Sequence, residues 1–496
     1  MIEKVTPTTP QKPFRAAQAV LSTVVAALVL FLWAKHVTPS PIDRDSAQSV
    51  QMAVNLAHHG VISLDDQPPL SPSDYREPVP VWVSAAGILI IEAVSGPADA
   101  TAYFSGARLQ YLKYQNLLWL ALLCFGVFQG TDVITGSRRA AWIAAALASV
   151  VFSANSWAAG MIDDLYTDLP AAAVLVVASA TFARGLGHRK LRSCIVAGVL
   201  FGCLTLIKAA MLYVFAAMIG LLAVVLVVFK ARTNLRRDLR AVALATIAFG
   251  CTVTPWMLRN RVELGTFQVA QRAGVVLWVR AVKDMMTPEE YLGAFYVWAP
   301  GKLQAPIGRL LGFGPADLRK GGRLQHLNRS ESSDFAAADL EAERSGRPQD
   351  AISYYRRARA ERVRLGHELL TQGAPNPEIL ADQLLQKKAI AVIREHPLRH
   401  LATTIPFAWR GAALALPMLL AGLILSLRSR RYDCALFALP SFGLVMFYAL
   451  LSHFIPRYSV PVRPVMLVLA VVAATLALDL LRERRTAAPV PEGAHQ

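Results

Sequence analysis

Long apolar blocks separated by short polar segments run through most of the chain. Most blocks approach the roughly 20 residues that an α-helix needs to cross the hydrocarbon core of a bilayer. They lie at residues 16–34, 79–95, 109–130, 140–157, 169–183, 193–207, 209–229, 240–257, 402–427, 434–452 and 464–481. The pattern therefore predicts an all-α polytopic membrane protein with about 10–12 transmembrane helices.

Two polar regions interrupt this series of blocks. Residues 36–78 form a proline-rich loop, and the i, i+3, i+4, i+7 spacing of a one-sided helix occurs in it at Val50, Ala53, Val54 and Ala57. Gly60 is expected to end this amphipathic helix. Residues 258–400 also carry helical patterns and predict a helical cap outside the membrane. Within it, the charged run at 355–364 is expected to be a solvated helix face.

One long apolar stretch must turn back on itself. Residues 193–229 contain a single charged residue, Lys208, and are too long for one span, so we expect a hairpin that turns near Lys208. The blocks nearer the N-terminus raise a question of parity. Three of them lie between the outer loops at 36–78 and 159–168, where an even number of crossings is required. One of the blocks 79–95, 109–130 and 140–157 is therefore expected not to cross fully.

The charge of the chain reflects its insertion in a membrane. Of 496 residues, 54% are hydrophobic and only 17% are charged, against about 25% charged in a soluble domain, which excludes a soluble enzyme. The net charge is +17, but much of the positive charge flanks apolar blocks, as the positive-inside rule requires. These flanking runs lie at 184–192, 230–240, 428–431 and 482–485. No nucleic-acid partner is therefore predicted.

The positive-inside rule also orients the chain. The basic loops face the cytoplasm, and the segments 36–78, 159–168 and 258–400 face outward. The predicted divisions are a transmembrane module at 1–257 that includes the outer loop, an extracytoplasmic helical region at 258–400, C-terminal transmembrane helices at 401–485 and a cytoplasmic tail at 486–496. The five cysteines lie in or beside apolar blocks, and none forms a CxxC pair. They are predicted to be small apolar residues.

Several short motifs occur in a fixed order at the outer ends of the predicted spans. The order is Asp45 after the first span, the amphipathic helix that ends at Gly60, Asp168-Leu169-Pro170, Lys208 after LTLI, TPWMLRN at 254–260 and HFIPRYSVP at 453–461. This series resembles the membrane glycosyltransferases of the GT-C fold that use polyprenyl-phosphate sugars. That group includes protein mannosyltransferases and the lipid A aminoarabinose transferase. The resemblance covers nearly the whole chain.

The resemblance implies roles for individual residues. Asp45 falls where the family places its catalytic acid, with Asp43 as the fallback, and Asp168 falls at the family's second acidic site. Basic residues at the outer ends of spans would hold the lipid phosphate, because cations stabilise a phosphate as it leaves. The residues assigned to substrate binding are Arg76, Glu77, Lys208, Arg259, Arg457 and Tyr458. The implied reaction moves one sugar to an acceptor hydroxyl with inversion, Asp45 taking the proton.

Each assignment has a structural alternative. Asp45 and Asp168 are also favoured helix caps, Lys208 can extend along the membrane surface, and Arg259 and Arg457 can anchor an interface. Arg76 and Glu77 can pair with each other, and Tyr458 suits a membrane interface.

The resemblance also defines the partners and the location. The partners would be a polyprenyl-phosphate-linked sugar, a lipid, glycan or protein acceptor, and membrane lipids, at the periplasmic or outer face of a bacterial inner membrane. No cofactor is certain, and the family's acidic pair is broken here by Ser46, which leaves the use of a divalent metal open. The alternatives are a non-catalytic scaffold of the same fold and a lipid or polysaccharide transporter. A transporter would need charged residues at mid-membrane, which the sequence lacks, and without a Gly-rich phosphate loop an ATP-driven pump is not predicted.

Overall fold

A computed structural model describes residues 29–42, 44–154, 160–229, 235–429 and 432–486. Within these ranges the chain forms helices and contains no β-strand. The predicted first span at 16–34 is described only from residue 29, where the end of a helix is seen. The part of the predicted tail after residue 486 and the fallback acid Asp43 lie outside the described residues.

The helices up to residue 264 contain the first half of the predicted spans. They are α1 (Arg44–His59), α2 (Pro78–Ser95), α3 (Ala107–Lys113), α4 (Gln115–Thr135), α5 (Arg138–Ala154), α6 (Asp168–Gly187), α7 (Leu191–Thr205), α8 (Ala210–Phe229) and α9 (Leu235–Leu264). The predicted amphipathic helix is confirmed as α1, and Gly60 follows it with a φ of 72°. The predicted hairpin at Lys208 is also confirmed, because α7 ends at Thr205 and α8 begins at Ala210.

The remaining helices lie in the region 258–400, which was predicted to be a cap, and in the predicted C-terminal spans. They are α10 (Ala273–Ala281), α11 (Pro288–Val297), α12 (Gly301–Leu311), α13 (Ala336–Arg344), α14 (Tyr354–Thr371), α15 (Pro377–Glu395), α16 (Pro397–Ala412), α17 (Ala415–Ser429), α18 (Tyr432–Leu451) and α19 (Arg463–Thr486). A 3₁₀ helix, Pro456–Val462, leads directly into α19.

Seven helical segments of the described chain are long and apolar enough to cross a membrane. They are α2, the joined α3 and α4, α6, α8, α9, α18 and Pro456–Asp479. The chain is therefore an all-α, multi-pass membrane protein. Helix α5 has 17 described residues, and the last residues of the block 140–157 fall outside the described ranges, so the parity of the early spans stays a prediction.

The block 402–427, counted among the predicted spans, is bent sharply in the structure. Helices α16 and α17 meet there at an angle of 98°. Pro417 explains the break, because its ring nitrogen carries no proton to donate to the carbonyl of residue 413. The pair of helices forms either a broken span or a re-entrant loop.

Helix α6 is the centre of the bundle. Its residues are buried almost throughout, and it packs against α4, α7 and α18. Small residues allow the neighbouring backbones to approach closely, as is common in membrane helices. A Cβ atom added to Gly126 of α4 would lie 2.5 Å from Val176 of α6. One added to Gly198 of α7 would lie 2.2 Å from the carbonyl oxygen of Ala245 in α9.

The charged run at 355–364 differs from the sequence prediction. Tyr355, Arg359 and Arg362 of α14 are partly buried, and Glu361 is buried. They are covered because α14 packs against α10 and α15, and because Arg362 lies over the ring of Tyr75 in the loop before α2. The prediction of a solvated face is therefore wrong, and this face belongs to the interior of the cap.

Candidate functional site

Two helix ends place an acid and a base in contact inside the protein. Asp168 is the first residue of α6, and Lys208 follows the C-terminus of α7, which runs antiparallel to α6. Both residues therefore lie at the same end of the bundle. The Nζ atom of Lys208 donates to Oδ1 of Asp168 at 2.8 Å. Asp168 is 0% exposed and Lys208 is 8% exposed, so the pair is shielded from water.

The carboxylate of Asp45 receives cations from three other parts of the chain. Asp45 lies in the first turn of α1, and its Oδ2 accepts a hydrogen bond from Nη2 of Arg457 at 2.5 Å. Its Oδ1 accepts from Nη2 of Arg76 and lies 3.7 Å from Nη1 of Arg272. Arg76 also donates from Nε to Gln48 at 3.1 Å, which holds its guanidinium in place.

Arg457 joins the two acids. While Nη2 binds Asp45, its Nε lies 3.2 Å from Oδ2 of Asp168, within ion-pair distance. The ring of Tyr166 lies under the guanidinium, 4.4 Å from its central carbon. We call these residues the Asp45–Asp168 cluster; its members are Asp45, Arg76, Asp168, Lys208, Arg272 and Arg457.

Contacts within the cluster shift the pKa values of Asp45 and Lys208. Burial alone would raise the pKa of Asp45, but the guanidinium groups of Arg76 and Arg457 outweigh it and hold that pKa well below its usual range. Burial opposes the charged form of Lys208, but Asp168, Tyr448 and Glu77 outweigh it and raise the pKa of Lys208. Asp45 is therefore a carboxylate and Lys208 an ammonium ion at neutral pH.

Two further predicted residues adjoin the cluster. Glu77 ends the loop before α2, and its Oε1 lies 3.4 Å from the amide nitrogen of Ala209, the residue after Lys208. Tyr458 follows Arg457, and its ring centre is 5.7 Å from Nζ of Lys208. Glu77 and Tyr458 therefore both lie beside the turn that contains Lys208.

Arg259 makes its contacts elsewhere. Its Nη2 pairs with Glu263 at 2.5 Å, one helical turn further along α9, and its Nη1 is 3.3 Å from the carbonyl oxygen of Ser73. Its guanidinium also lies over the ring of Trp256, 4.9 Å away. None of these partners is a member of the Asp45–Asp168 cluster.

Two residues of the site, Arg272 and Tyr75, were not assigned a role from the sequence. Arg272 precedes α10 with a left-handed φ of 96° and approaches Asp45 from the cap. Tyr75 lies next to Arg76, and the guanidinium groups of Arg272 and Arg362 lie 4.9 and 5.9 Å from its ring centre. An aromatic residue beside Arg76 was a local signal for Tyr75. Arg272 had none, because only the packing of the cap brings it back to α1.

The described residues offer no ready metal site. Within those ranges, no group of three or more His, Cys, Asp or Glu side chains could hold a metal ion. The two acids of the cluster are instead bound by arginine and lysine side chains.

Solved structures with a similar course of the chain are distant in sequence. No protein-family model matches the chain, and no curated protein matches it by sequence. It is similar to the archaeal oligosaccharyltransferase AglB from Archaeoglobus fulgidus, in complex with an inhibitory peptide and a dolichol-phosphate. The TM-score is 0.45 and the identity 14% over 97% of this chain, which spans about half, 53%, of that one.

A second similarity is to ArnT from Cupriavidus metallidurans. For ArnT bound to undecaprenyl phosphate, the TM-score is 0.37 and the identity 13%, over 96% of this chain and 81% of that chain. The apo state of the same protein gives the same TM-score and identity, with 82% of that chain covered. The function proposed below rests on the side chains of the cluster.

Proposed function

We propose that this chain is a membrane glycosyltransferase that moves a sugar from a polyprenyl-phosphate donor to an acceptor hydroxyl, with Asp45 as general base. One observation carries the proposal. Residues that the GT-C resemblance nominates from four distant segments, Asp45, Asp168, Lys208 and Arg457, contact one another at the ends of membrane helices. The acceptor is a lipid, a glycan or a protein.

The charge of the cluster suits a lipid-linked phosphate. Four cations, Arg76, Lys208, Arg272 and Arg457, face the carboxylates of Asp45 and Asp168, with Glu77 close to Lys208. The cations outnumber the acidic residues, so the site carries a net positive charge that would attract the negative charge of a sugar phosphodiester. When the sugar departs, the lipid phosphate gains a second negative charge, and the same cations stabilise it.

Asp45 needs to be released before it can act as a base. A carboxylate held by two guanidinium groups has a low pKa and is a weak proton acceptor. In the proposed mechanism, the donor phosphate takes Arg76 and Arg457 as partners, and Asp45 then faces the acceptor. The acceptor oxygen attacks the anomeric carbon, its proton moves to Asp45, and the bond between that carbon and the phosphate oxygen breaks. The electron pair stays on the phosphate, and the anomeric configuration inverts.

The remaining predicted residues keep secondary roles in the proposal. Asp168 holds Lys208 and Arg457 in position, while Glu77 and Tyr458 orient Lys208. Arg259 stays a candidate whose described contacts lie outside the cluster, and the fallback acid Asp43 lies outside the described residues. The region 258–400 supplies Arg272 and covers the site, and we assign it the choice of acceptor. The site is proposed to face the periplasm or the exterior from a bacterial inner membrane.

The substitution Asp45→Asn tests the proposal. A strain that lacks the gene is first compared with its parent by mass spectrometry, to identify the glycan that disappears. The glycan should return with the unaltered chain and not with Asp45→Asn, although both proteins are present in the membrane. Asp66→Asn, on the exposed part of the same loop, is the matched control and should restore it. Full restoration by Asp45→Asn would sink the assignment.

A further inference from the structure

A buried lysine of the region 258–400 has no acidic partner in the part of the chain that the structure describes. Lys283 is 4% exposed, and its Nζ donates to the carbonyl oxygen of Val279 at 2.7 Å, in the preceding helical turn. The neighbouring carboxylate, Asp284, is already bound by Arg280 and by His400, each at 2.6 Å. Among the described residues, no carboxylate forms an ion pair with Lys283.

Two arginines near this lysine also have no acidic partner among the described residues. Arg329 lies over the ring of Tyr355, 5.1 Å from its centre, and Arg410 lies over Trp298 at 4.7 Å. Arg410 also donates to the carbonyl oxygen of His453 at 3.3 Å. Both arginines are partly exposed, and neither forms an ion pair with any residue in the described ranges.

Shared ring contacts place these groups together. Lys283 and Trp298 both lie beside the ring of Phe407, and Arg410 lies over Trp298. The ring of His453 is 5.9 Å from that of Tyr355, over which Arg329 lies.

Burial and the charges of Arg410 and Arg329 lower the pKa of Lys283. Burial, then Arg329, Lys283 and Arg410, lower the pKa of His453. The Nδ1 atom of His453 is itself buried without a hydrogen-bond partner. We call Lys283, Arg329, Arg410 and His453 the Lys283 cluster.

Tyr458 connects this cluster to the Asp45–Asp168 cluster. Its ring centre is 5.5 Å from that of His453 and 5.7 Å from Nζ of Lys208. The Lys283 cluster is therefore separate from the proposed catalytic acid but lies beside it. Its cations also differ from those of the catalytic cluster, each of which faces a carboxylate.

Like charges that lack a counter-ion repel one another most strongly where water is scarce. The folded protein can keep these three positive charges close together if a bound ligand supplies the missing negative charge. We infer that the Lys283 cluster is a second anion-binding site, which holds a phosphate or carboxylate group of a substrate bound beside Asp45. The identity of that substrate as donor or acceptor rests on the proposed function, while anion binding itself does not.

Thermal unfolding of the full-length protein in detergent tests this inference without a transfer assay. The Tm is measured in sodium phosphate and in sodium chloride of equal ionic strength. In chloride, Arg410→Gln loses the contacts with the His453 carbonyl and Trp298 but also the repulsion from Lys283 and Arg329, so its Tm should change little. In phosphate, the unaltered protein should gain stability, and Arg410→Gln should weaken its apparent affinity for phosphate by roughly tenfold or more.

Two other variants serve as a replacement and as a control. Arg329→Gln repeats the test at a partly exposed position if Arg410→Gln does not fold. Arg309→Gln removes an exposed charge from α12 and should respond to phosphate like the unaltered protein. The inference is overturned if inorganic phosphate and undecaprenyl phosphate both leave the unaltered protein's Tm unchanged, or if the variants of the cluster respond as strongly as Arg309→Gln.

A second titration, with undecaprenyl phosphate, identifies the source of the anion. If Arg410→Gln also loses stabilisation by this lipid, the occupant is the donor's phosphate, and the assignment of that phosphate to Arg76 and Arg457 in the proposed mechanism is wrong. If the variant loses only the response to inorganic phosphate, the occupant is an acidic group of the acceptor or of the sugar. Both results support the site, and neither depends on Asp45, so the glycan assay of Asp45→Asn can fail independently.

Discussion

The guanidinium of Arg457 binds the carboxylate of Asp45 at 2.5 Å, although 412 positions separate the two residues in the chain. The same side chain reaches Asp168 through Nε at 3.2 Å. Arg457 lies in the 3₁₀ helix between α18 and α19, and it thereby connects the start of α1 to the start of α6. A planar guanidinium suits this task, because its donors point in fixed directions toward two acceptors.

The substitution Arg457→Lys separates charge from shape at this bridge. A lysine keeps the positive charge, but a single ammonium group cannot reproduce the fork between two carboxylates. We expect transfer to fall by roughly ten- to a hundredfold, since the charge-assisted hydrogen bond to Asp45 and the ion pair with Asp168 cannot both be kept. The Tm should change little. Initial rates of glycan formation in membranes containing equal amounts of protein measure the effect.

Arg319→Lys is the matched control for this experiment. Arg319 is exposed in the cap, and no ion pair is seen for it among the described residues, so the exchange should leave the rate unchanged. Equal rates for Arg457→Lys and Arg319→Lys would mean that the bridge has no part in the reaction.

The buried pair Asp168–Lys208 should behave as a unit in stability measurements. Removing one partner leaves the other buried with only a more distant counter-charge, Arg457 for Asp168 and Glu77 for Lys208, and breaking a buried pair costs up to about 3–5 kcal/mol. Asp168→Leu and Lys208→Met should therefore each lower the Tm strongly. The double variant should lose less stability than the two single variants added together, because the direct contact between Lys208 and Asp168 is lost only once. Additive losses in this double-mutant cycle would show that the two side chains do not interact.

The pH dependence of stability should report the arginines around Asp45. Burial acts to raise the pKa of Asp45, but Arg76 and Arg457 bring it below the ordinary value of 3.8. A depressed folded-state pKa gives stability that is fully present above the unfolded value and is lost as the pH falls through the folded one. The Tm difference between the unaltered protein and Asp45→Asn should thus be constant from pH 8 to about pH 5 and shrink only below about pH 4. A difference that already shrinks between pH 7 and pH 5 contradicts the arrangement.

Much of the fold could be predicted because apolar length is a strong signal. Few charges occur inside the blocks, and the lone Lys208 marks the turn between α7 and α8. The 98° break between α16 and α17 was not predicted, because the apolar block continues across it. Burial of α14 was not predicted either, since a charged run gives no hint of the loop residue, Tyr75, that covers it.

The candidate site was predicted in part for a similar reason. Asp45, Asp168, Lys208 and Arg457 lie in short motifs at the ends of spans, so the resemblance could nominate them. Arg272 and the Lys283 cluster lie outside those motifs, on separate elements of the cap and of the C-terminal half. Only tertiary packing brings them to the site, and a single sequence carries no local record of that packing.

Gly198 offers a test of the bundle that is independent of any activity. A Cβ atom added there would lie 2.2 Å from the carbonyl oxygen of Ala245, a backbone atom of α9 that cannot turn aside. Gly198→Ala must therefore push α7 away from α9, and overpacking of this kind costs about 1–3 kcal/mol.

Gly250→Ala, in α9 itself, is the matched control. No atom lies within 4 Å of its added Cβ, and alanine is the better helix former. We expect Gly198→Ala to lower the Tm in detergent and Gly250→Ala to leave it equal or higher. Both substitutions gain the same helical propensity, and they differ only in the contact that the added methyl group makes. Equal unfolding temperatures for the two variants would therefore show that α7 and α9 do not approach as closely as the structure has them.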